Sequence, residues 1–591
     1  MSRPAVILDI GAQRGLSHVF EDMAGLIVAR RQGEVEPALQ KLGEARSRGL
    51  HAAGYFSYEL GYALELKLAE LMPAKRALPL IWFGLFRSRR ELGGADLDAL
   101  IAASSRGRAY AGPLRFAETR ELYRRKFARV EEYIRAGDVY QVNLTFPARF
   151  FFAGDPLALY GRLRRRAQAG HGGYIDDGER ALLSFSPELF FQIGDETIVS
   201  RPMKGTAPRG ADVDEDDRMR SRLAESEKER AENLMIVDLI RNDLSRVAKT
   251  GSVTVEELFK VETYPTVHQM VSTIRADLVP GATPHDIVRA LFPCGSITGA
   301  PKLRAMEIIR ELEETPRGLY CGAIGSFSPD GCAAFNVAIR TLTIEGAKGT
   351  LGIGGGLVAD SRADAEYDEC LIKARFFSDG RPPLSLIETF RHEPDRGFLR
   401  DALHLERLER SARALGLPFE KTKIEEALSF AVRGKTQASR VRILLSEDGT
   451  VDVTTQDFTP EASDTVWRYV ISDHRVQSTD LLAHHKTTWR TLFDEERKRW
   501  NALGCDEVVY LNERGEVAEA SGANVFARID GQLLTPPLSS GALPGCLRRD
   551  LLERGECREA VLMVSDLETA EAVYIGNSLR GLIRALPFSR R

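Results

Sequence analysis

Gly380-Arg381-Pro382-Pro383 constrains the fold more than any other feature of the chain. Paired prolines lock φ, lack N–H donors and clash with a preceding helical turn, so neither a helix nor a central strand can run through them. Residues 378–384 are therefore read as a linker between two folding regions, 1–377 and 385–591. The division suits the length, because 591 residues exceed what one hydrophobic core serves. At 43% apolar and 28% charged residues, both regions can bury cores, and a disordered chain is excluded. With 81 basic against 85 acidic residues, no global field attracts nucleic acid or anionic lipid. The densest basic run, Arg162 to Arg166, is expected to be a solvated helix face. Seven cysteines, an odd number without a C-x-x-C, point to a reduced protein with neither a disulfide framework nor cysteine-bound zinc. Met1–Gln13 contains only the short apolar run Val6 to Leu8, unlike a signal peptide. No stretch approaches the ~18 apolar residues of a membrane span. The cytoplasm is the expected location, with no membrane or nucleic-acid partner.

Local patterns predict the elements that carry the informative residues. Leu122 to Ala136 reads as a helix stopped by Gly137. Ser226 to Val247 has neither Pro nor Gly and repeats Leu234, Val237, Ile240, Leu244 and Val247 at helical spacing, and its Ser226…Glu229 start has the form of a capping box. Asp401 to Leu415 is amphipathic and ends at Gly416. VNLTFPARFFF, ALLSFSPELFFQI, VRILLS and DEVVYLN read as strands.

Glu229 and Glu232 lie one turn apart on one predicted helix, and Glu366 and Glu369 repeat the spacing on another that ends near Gly380. Spacing alone leaves two readings open. Both pairs could coat solvated helix faces, or they could converge on a hard divalent cation such as Mg²⁺, which prefers carboxylate oxygens. Gly352-Ile-Gly354-Gly355-Gly356-Leu357 lacks the third glycine of a dinucleotide fingerprint, and Gly295 to Lys302 does not satisfy a phosphate loop, so neither argues for nucleotide binding.

Six strings in one order, FSPE (185–188), RPMKGT (201–206), SEKERAENLMIVDLIRNDL, CGSITGAPK (294–302), FNVAIRT (335–341) and GIGGGLVADSRADAEYDE, resemble the chorismate-utilising enzymes. That family includes anthranilate, isochorismate and aminodeoxychorismate synthases. The resemblance implies a β-sandwich with surrounding helices, similar to anthranilate synthase component I. It further implies that Glu232 and Glu369 ligate Mg²⁺ with Glu229 and Glu366 as near or water-mediated partners, that Arg340 binds the pyruvyl carboxylate of chorismate, and that Tyr320, Gly354 and Lys373 assist. His268 and Thr298 match positions lining the ring. Glu188 matches the general acid that protonates the departing hydroxyl. Lys204 stands where anthranilate-forming relatives carry Ala; it resembles the para-amino branch, in which the lysine is a covalent nucleophile. No G-x-C-x-G surrounds any cysteine, so ammonia is expected from a separate glutamine amidotransferase subunit.

Beyond the linker, HLERLERSA (404–412), HHKTTWR (484–490), GEVAEASGANVFAR (515–528), SSGALPGCLRR (539–549) and YIGNSLRG (574–581) resemble the fold-type IV pyridoxal-phosphate enzymes, an α/β fold similar to D-amino acid aminotransferase. The resemblance implies that Lys486 forms the Schiff base and Glu519 contacts the pyridine nitrogen. It places Arg407, Gly541, Ala542 and Asn577 around the phosphate and allows an oligomer through this domain. One departure stands out. Ile387-Glu388-Thr389-Phe390 follows the linker almost at once, without the Gly- and Asp-containing segment that normally precedes it, so the second region is shortened or leans on the first.

The expectation is an α+β two-part chain. A maker of aminodeoxychorismate joined to its consumer implies two-step synthesis of p-aminobenzoate for folate. Two alternatives stay open: an anthranilate or isochorismate synthase fused to an aminotransferase, or a scaffold with an inactive second half.

Overall fold

The computed structural model describes every residue except 1, 2, 4, 10–14, 168, 265, 266, 590 and 591. Of Met1–Gln13, Val6–Leu8 is a buried strand, and residues 1, 2, 4 and 10–13 lie outside the described set. The chain separates into two compact units. The first holds residues 1–104, 114–150 and 160–379; the second holds 380–591 together with 105–113 and 151–159. The expected contiguous boundary is thus breached by two short stretches of the amino-terminal half. They answer the missing segment before Ile387: Tyr110 is fully buried in the core of the second unit against Leu386, Phe390 and Leu482, a burial on the scale of roughly 1.5–3 kcal/mol. Its hydroxyl is not stranded, because it donates to Glu447 Oε1 at 3.0 Å.

In the first unit, antiparallel strands form one hydrogen-bonded system rather than two separate sheets, since long strands are shared along it. Leu16–Ala29 pairs with Ile81–Gly93 over nearly its whole length, and Val267–Asp277 takes three partners. The Glu227–Ser245 helix buries Val237, Ile240 and Leu244 of the expected face, with Ile236 beside them, whereas Leu234 is exposed because the buried stripe is offset toward Asn233 and Ile236. Ser226 Oγ accepts from Glu229 N–H at 3.4 Å, but the Glu229 side chain does not return to complete a capping box. The Ala363–Ser378 helix buries Tyr367, Cys370, Ala374 and Phe377 and packs on strand Lys348–Leu357. It ends where Gly380 turns the chain at φ +60°. The Arg120–Arg135 helix is closed by Gly137 at φ +78°. Arg162 to Arg166 is not uniformly solvated: Arg164 reaches Asp9 at 2.9 Å and Asp98 at 3.2 Å, because the apolar face of its helix, with Leu163 buried, turns that arginine toward the sheet.

The second unit has a four-stranded antiparallel sheet, Gly397–Phe398, Ser385–Glu393, Ser439–Ser446 and Val451–Asp457. The Asp401–Leu415 helix covers it with Leu405, Leu408, Ala412 and Leu415 and stops at Gly416, φ +69°. A mixed eight-stranded sheet runs in the order Val517–Ala520, Glu507–Asn512, Val466–Val476, Gly581–Pro587, Ala572–Asn577, Asn524–Ile529, Gln532–Thr535 and Arg558–Glu559. All seven cysteines are free. Among the described residues no helix is long and apolar enough to cross a membrane.

Candidate active sites

In the first unit, the two glutamate pairs converge. Burial raises the carboxyls of Glu229, Glu232 and Glu366, and mutual repulsion adds to it: Glu369 acts on Glu229 and on Glu366, and Glu229 acts on Glu232. Burial works in the same direction on Glu369, yet Lys373 at 2.7 Å, with Lys204 and Lys228 farther off, holds it below the ordinary range. Carboxylates that raise one another's affinity for protons form a donor set suited to a hard cation. Among the described residues no three of the four carboxyl groups bring oxygens within 4.8 Å of one another. Among the described residues, only Glu388, His404 and Cys546 bring three ligand atoms within 4.8 Å of one another, and Arg407 already neutralises that trio through Glu388.

Strand Met203–Pro208 presents Lys204 beside this group. Glycines make the room. A Cβ at Gly356 would stand 2.9 Å from Lys204 Nζ, and one at Gly205, φ +84°, would stand 2.8 Å from Glu229 Oε2. Gly352 similarly accommodates the Tyr320 ring. Gly354 offers its carbonyl to Lys373 Nζ at 3.0 Å. Glu188 lies buried, accepts from Ser296 Oγ at 2.7 Å, and is pushed up to about 7 by desolvation against the opposing pull of Ser296 and Lys204. Arg340 sits at φ +48° in a backbone position that favours glycine. Its guanidinium is largely buried, which lowers its pKa, and among the described residues it has no acceptor. A buried cation without a counter-charge is costly until an anion arrives.

Two sequence expectations are met less directly. His268 is engaged at both ring nitrogens, by Asp216 Oδ1 and Thr263 Oγ1 at 3.0 Å each, and among the described residues no contact joins it to Lys204 or Glu188. Thr298 is buried with its hydroxyl donated to the Cys294 carbonyl at 2.8 Å. Conversely, Gln141 escapes the sequence reading. Its amide is buried with neither oxygen nor nitrogen partnered, and it stands 3.2 Å from the position of a Gly356 Cβ, next to Lys204. It opens a strand that reads as apolar, so no local signal separates it from the sheet.

The second unit encloses a cavity of about 310 Å³ lined by Lys486, Glu519, Arg407 and Asn577. Lys486 donates to Thr389 Oγ1 at 3.3 Å; burial first, then Arg407, lowers its amine to about 8. Desolvation raises Glu519 to about 7. Arg407 forms a bidentate pair with Glu388, 2.8 and 2.7 Å, and donates to the Pro544 carbonyl at 3.1 Å. His404 bonds the same Glu388 at 2.6 Å. Asn577 Oδ1 accepts from Leu579 and Arg580 N–H. Gly541 and Ala542 do not line the cavity. Gly541, φ +93°, gives its N–H to Leu538 and closes a turn, so the chain reaches the wall only downstream, at Leu543, Gly545 and Cys546.

Arg440 and Arg442 also line the cavity, each with a buried, unpartnered Nε. They alternate with Val441 and Ile443 along a strand, and that alternation by itself does not show what the arginine-bearing face meets. Arg442 pairs across the sheet with Thr389, the hydroxyl that contacts Lys486.

Comparison with known proteins matches residues 14–379 to the chorismate binding enzyme family and residues 385–586 to amino-transferase class IV. Aminodeoxychorismate synthase component 1 of Escherichia coli is 48% identical over 255 residues, 43% of this chain and 56% of that protein, so the match spans little more than half of the relative. The Klebsiella aerogenes protein of the same name is 42% identical over 54% of this chain and 75% of its own length. Anthranilate synthase component I from Streptococcus pneumoniae shares the fold, with a TM-score of 0.53 and 24% identity over 61% of this chain and 91% of that one. The first unit therefore has the fold of anthranilate synthase component I, the second is of the class IV aminotransferase type, and the chain belongs to the chorismate binding enzyme family.

Proposed function

We propose that the chain converts chorismate to p-aminobenzoate in two steps, the first unit replacing the 4-hydroxyl by an amino group and the second expelling pyruvate. The observation that carries this reading is an amine, Lys204, beside a buried carboxyl held near pH 7, Glu188, in a unit of the chorismate binding family. The Lys204 amine nitrogen attacks ring carbon C2 as the double bonds shift. Glu188 gives its proton to the C4 hydroxyl, which leaves as water. Ammonia then adds at C4 and the lysine is expelled. Arg340 takes the pyruvyl carboxylate, and Gln141 supplies an amide beside the nucleophile. Tyr320, Thr298 and His268 shape the surrounding wall. Glu232 and Glu369 are the groups suited to hold Mg²⁺, with Glu229 and Glu366 behind them. A Mg²⁺ ion held there would neutralise the ring carboxylate of the substrate; Lys373 meets the charge of Glu369 at 2.7 Å. The ammonia comes from a separate glutamine amidotransferase, since the chain has no glutaminase motif.

In the second unit a depressed lysine, a deep carboxyl and a roomy polar cavity fit pyridoxal phosphate. When bound, the cofactor serves as an electron sink for the carbon that carries the substrate amine. Lys486 would hold it and take the C4 proton, Glu519 would be the partner of its pyridine nitrogen, and Arg407 and Asn577 would hold its phosphate. Arg440 and Arg442 suit the carboxylates of aminodeoxychorismate. Gly541 and Ala542 form the turn behind the wall.

The test is to incubate the protein with chorismate, Mg²⁺, pyridoxal phosphate and an ammonium salt and identify the products. Equal p-aminobenzoate and pyruvate are expected. Accumulated aminodeoxychorismate would overturn the second assignment alone, and anthranilate or isochorismate would overturn the role of Lys204, as would undiminished product from Lys204→Ala.

A further inference from the structure

The loop that carries Lys486 is held from a part of the chain more than 370 residues away in sequence. Arg108, in the 105–113 stretch of the second unit, donates from Nε to Asp480 Oδ2 at 2.7 Å and from Nη1 to the Trp489 carbonyl at 2.5 Å. Asp480 stands before Lys486 and Trp489 after it, so one guanidinium spans both ends of the loop. Asp480 is buried, and its other oxygen caps the following turn by accepting from Leu482 N–H at 3.0 Å. The approach is close: a Cβ on Gly107 would stand 2.7 Å from Asp480 Cα, and Thr479 Oγ1 donates to the Arg106 carbonyl at 3.0 Å. The 105–113 stretch is itself braced. Asp155 accepts from Arg106 N–H at 2.6 Å and returns its own N–H to the Arg108 carbonyl at 3.1 Å. The Tyr110 ring meets Trp489 edge-on at 5.8 Å. Arg108 also lines the cavity and lends positive charge toward Glu519.

We infer that Arg108 is a positioning residue of the second site: it fixes the geometry of the Lys486 loop, so that a residue lying in sequence within the chorismate-binding family match, but folded into the second unit, is needed to load the cofactor. The inference rests on reading Lys486 as the cofactor lysine. A planar guanidinium can satisfy a carboxylate and a carbonyl at once, which a lysine ammonium on a flexible stem cannot do with the same rigidity. Other bonds hold the loop between those ends: the Lys486 carbonyl accepts from Ile387 N–H at 2.7 Å, Thr488 N–H donates to the Ser385 carbonyl at 2.9 Å, His484 lies 3.2 Å from the Leu538 carbonyl and His485 2.9 Å from Ser411 Oγ, whereas Arg108 is the group that joins Asp480 to Trp489.

The experiment titrates full-length wild type, R108A, R108K and R108A/D480N with pyridoxal phosphate. It records the dissociation constant and the pH midpoint of the visible band of the bound cofactor, and separately the ammonium-dependent consumption of chorismate. R108A is expected to bind the cofactor at least tenfold more weakly and to move the pH midpoint, with chorismate consumption within twofold of wild type. R108K should recover part of the affinity. The double variant leaves no unpaired buried carboxylate, so it separates lost positioning from lost stability; it should consume chorismate normally and still load poorly. Wild-type loading and an unmoved midpoint in R108A and in the double variant would overturn the inference while sparing the reading of Lys486. Failure of the wild type itself to bind pyridoxal phosphate would overturn both.

Discussion

Replacing Ser296 by Ala should shift the alkaline limb of the amination reaction upward. Glu188 is raised to about 7 by desolvation, and the strongest opposing influence is the hydroxyl of Ser296, 2.7 Å from Oε1. That hydroxyl donates to the carboxylate and so favours the charged form; without it the proton is held more tightly. A hydrogen bond to a charged group contributes roughly 1.5–3 kcal/mol. At 1.36 kcal/mol per unit this moves Glu188 from about 7 to about 8 or 9. If the protonated acid is required, each enzyme loses activity as pH rises through its Glu188 value. At pH 8 the wild type then retains about a tenth of its low-pH plateau, and S296A about half to nine-tenths of its own, from the same arithmetic. The assay is kcat/KM for chorismate from pH 5.5 to 9.5 or so, at constant free ammonia, each profile normalised to its plateau. An S296A limb that stays at about 7 would refute the reasoning, because the titrating group would not then be the carboxyl that Ser296 contacts.

The remaining expectations are more direct. Glu229→Gln, which removes a carboxylate behind the metal ligands, should raise the half-saturating Mg²⁺ roughly 10- to 100-fold; an unchanged Mg²⁺ titration would remove it from the site. Glu388→Gln leaves the Arg407 guanidinium buried without its bidentate partner and should cost about 3–5 kcal/mol in chemical denaturation of the second unit, while joint replacement by Leu and Met should recover most of that. Lys486 lies near 8, depressed from 10.5, so at pH 7 about 300-fold more of its amine is neutral than for an ordinary lysine. The second-order rate of pyridoxal phosphate capture should therefore rise with pH and level off above about 8, whereas a continued rise past pH 10 or so would contradict the burial of that amine.

The informative residues were legible where their signal is local. Gly137 and Gly416 end helices because a left-handed residue terminates the hydrogen-bond ladder whatever surrounds it. Glu229 shows how a local signal can mislead: the Ser226…Glu229 pattern belongs to a capping box, yet the carboxylate turns toward Gly205. Arg440 and Arg442 fail for the opposite reason. Alternation along a strand shows that two side chains share a face, and it cannot show whether that face meets water or the Lys486 cavity. His268 matches a site motif, but its two partners come from the neighbouring strand and from the helix Val213–Glu225.

The double proline, the glycine-terminated helices and the ordered motifs determined, from sequence, that there are two units and which chemistry each is equipped for, because each depends on residues close together in the chain. Tertiary structure alone decided that burial raises Glu229, Glu232 and Glu366 while lysines hold Glu369 down, that Glu188 and Lys486 are poised near neutrality, and that Arg108 belongs to the second unit. Those outcomes depend on desolvation and on contacts between residues tens to hundreds of positions apart, which only the packed chain brings together.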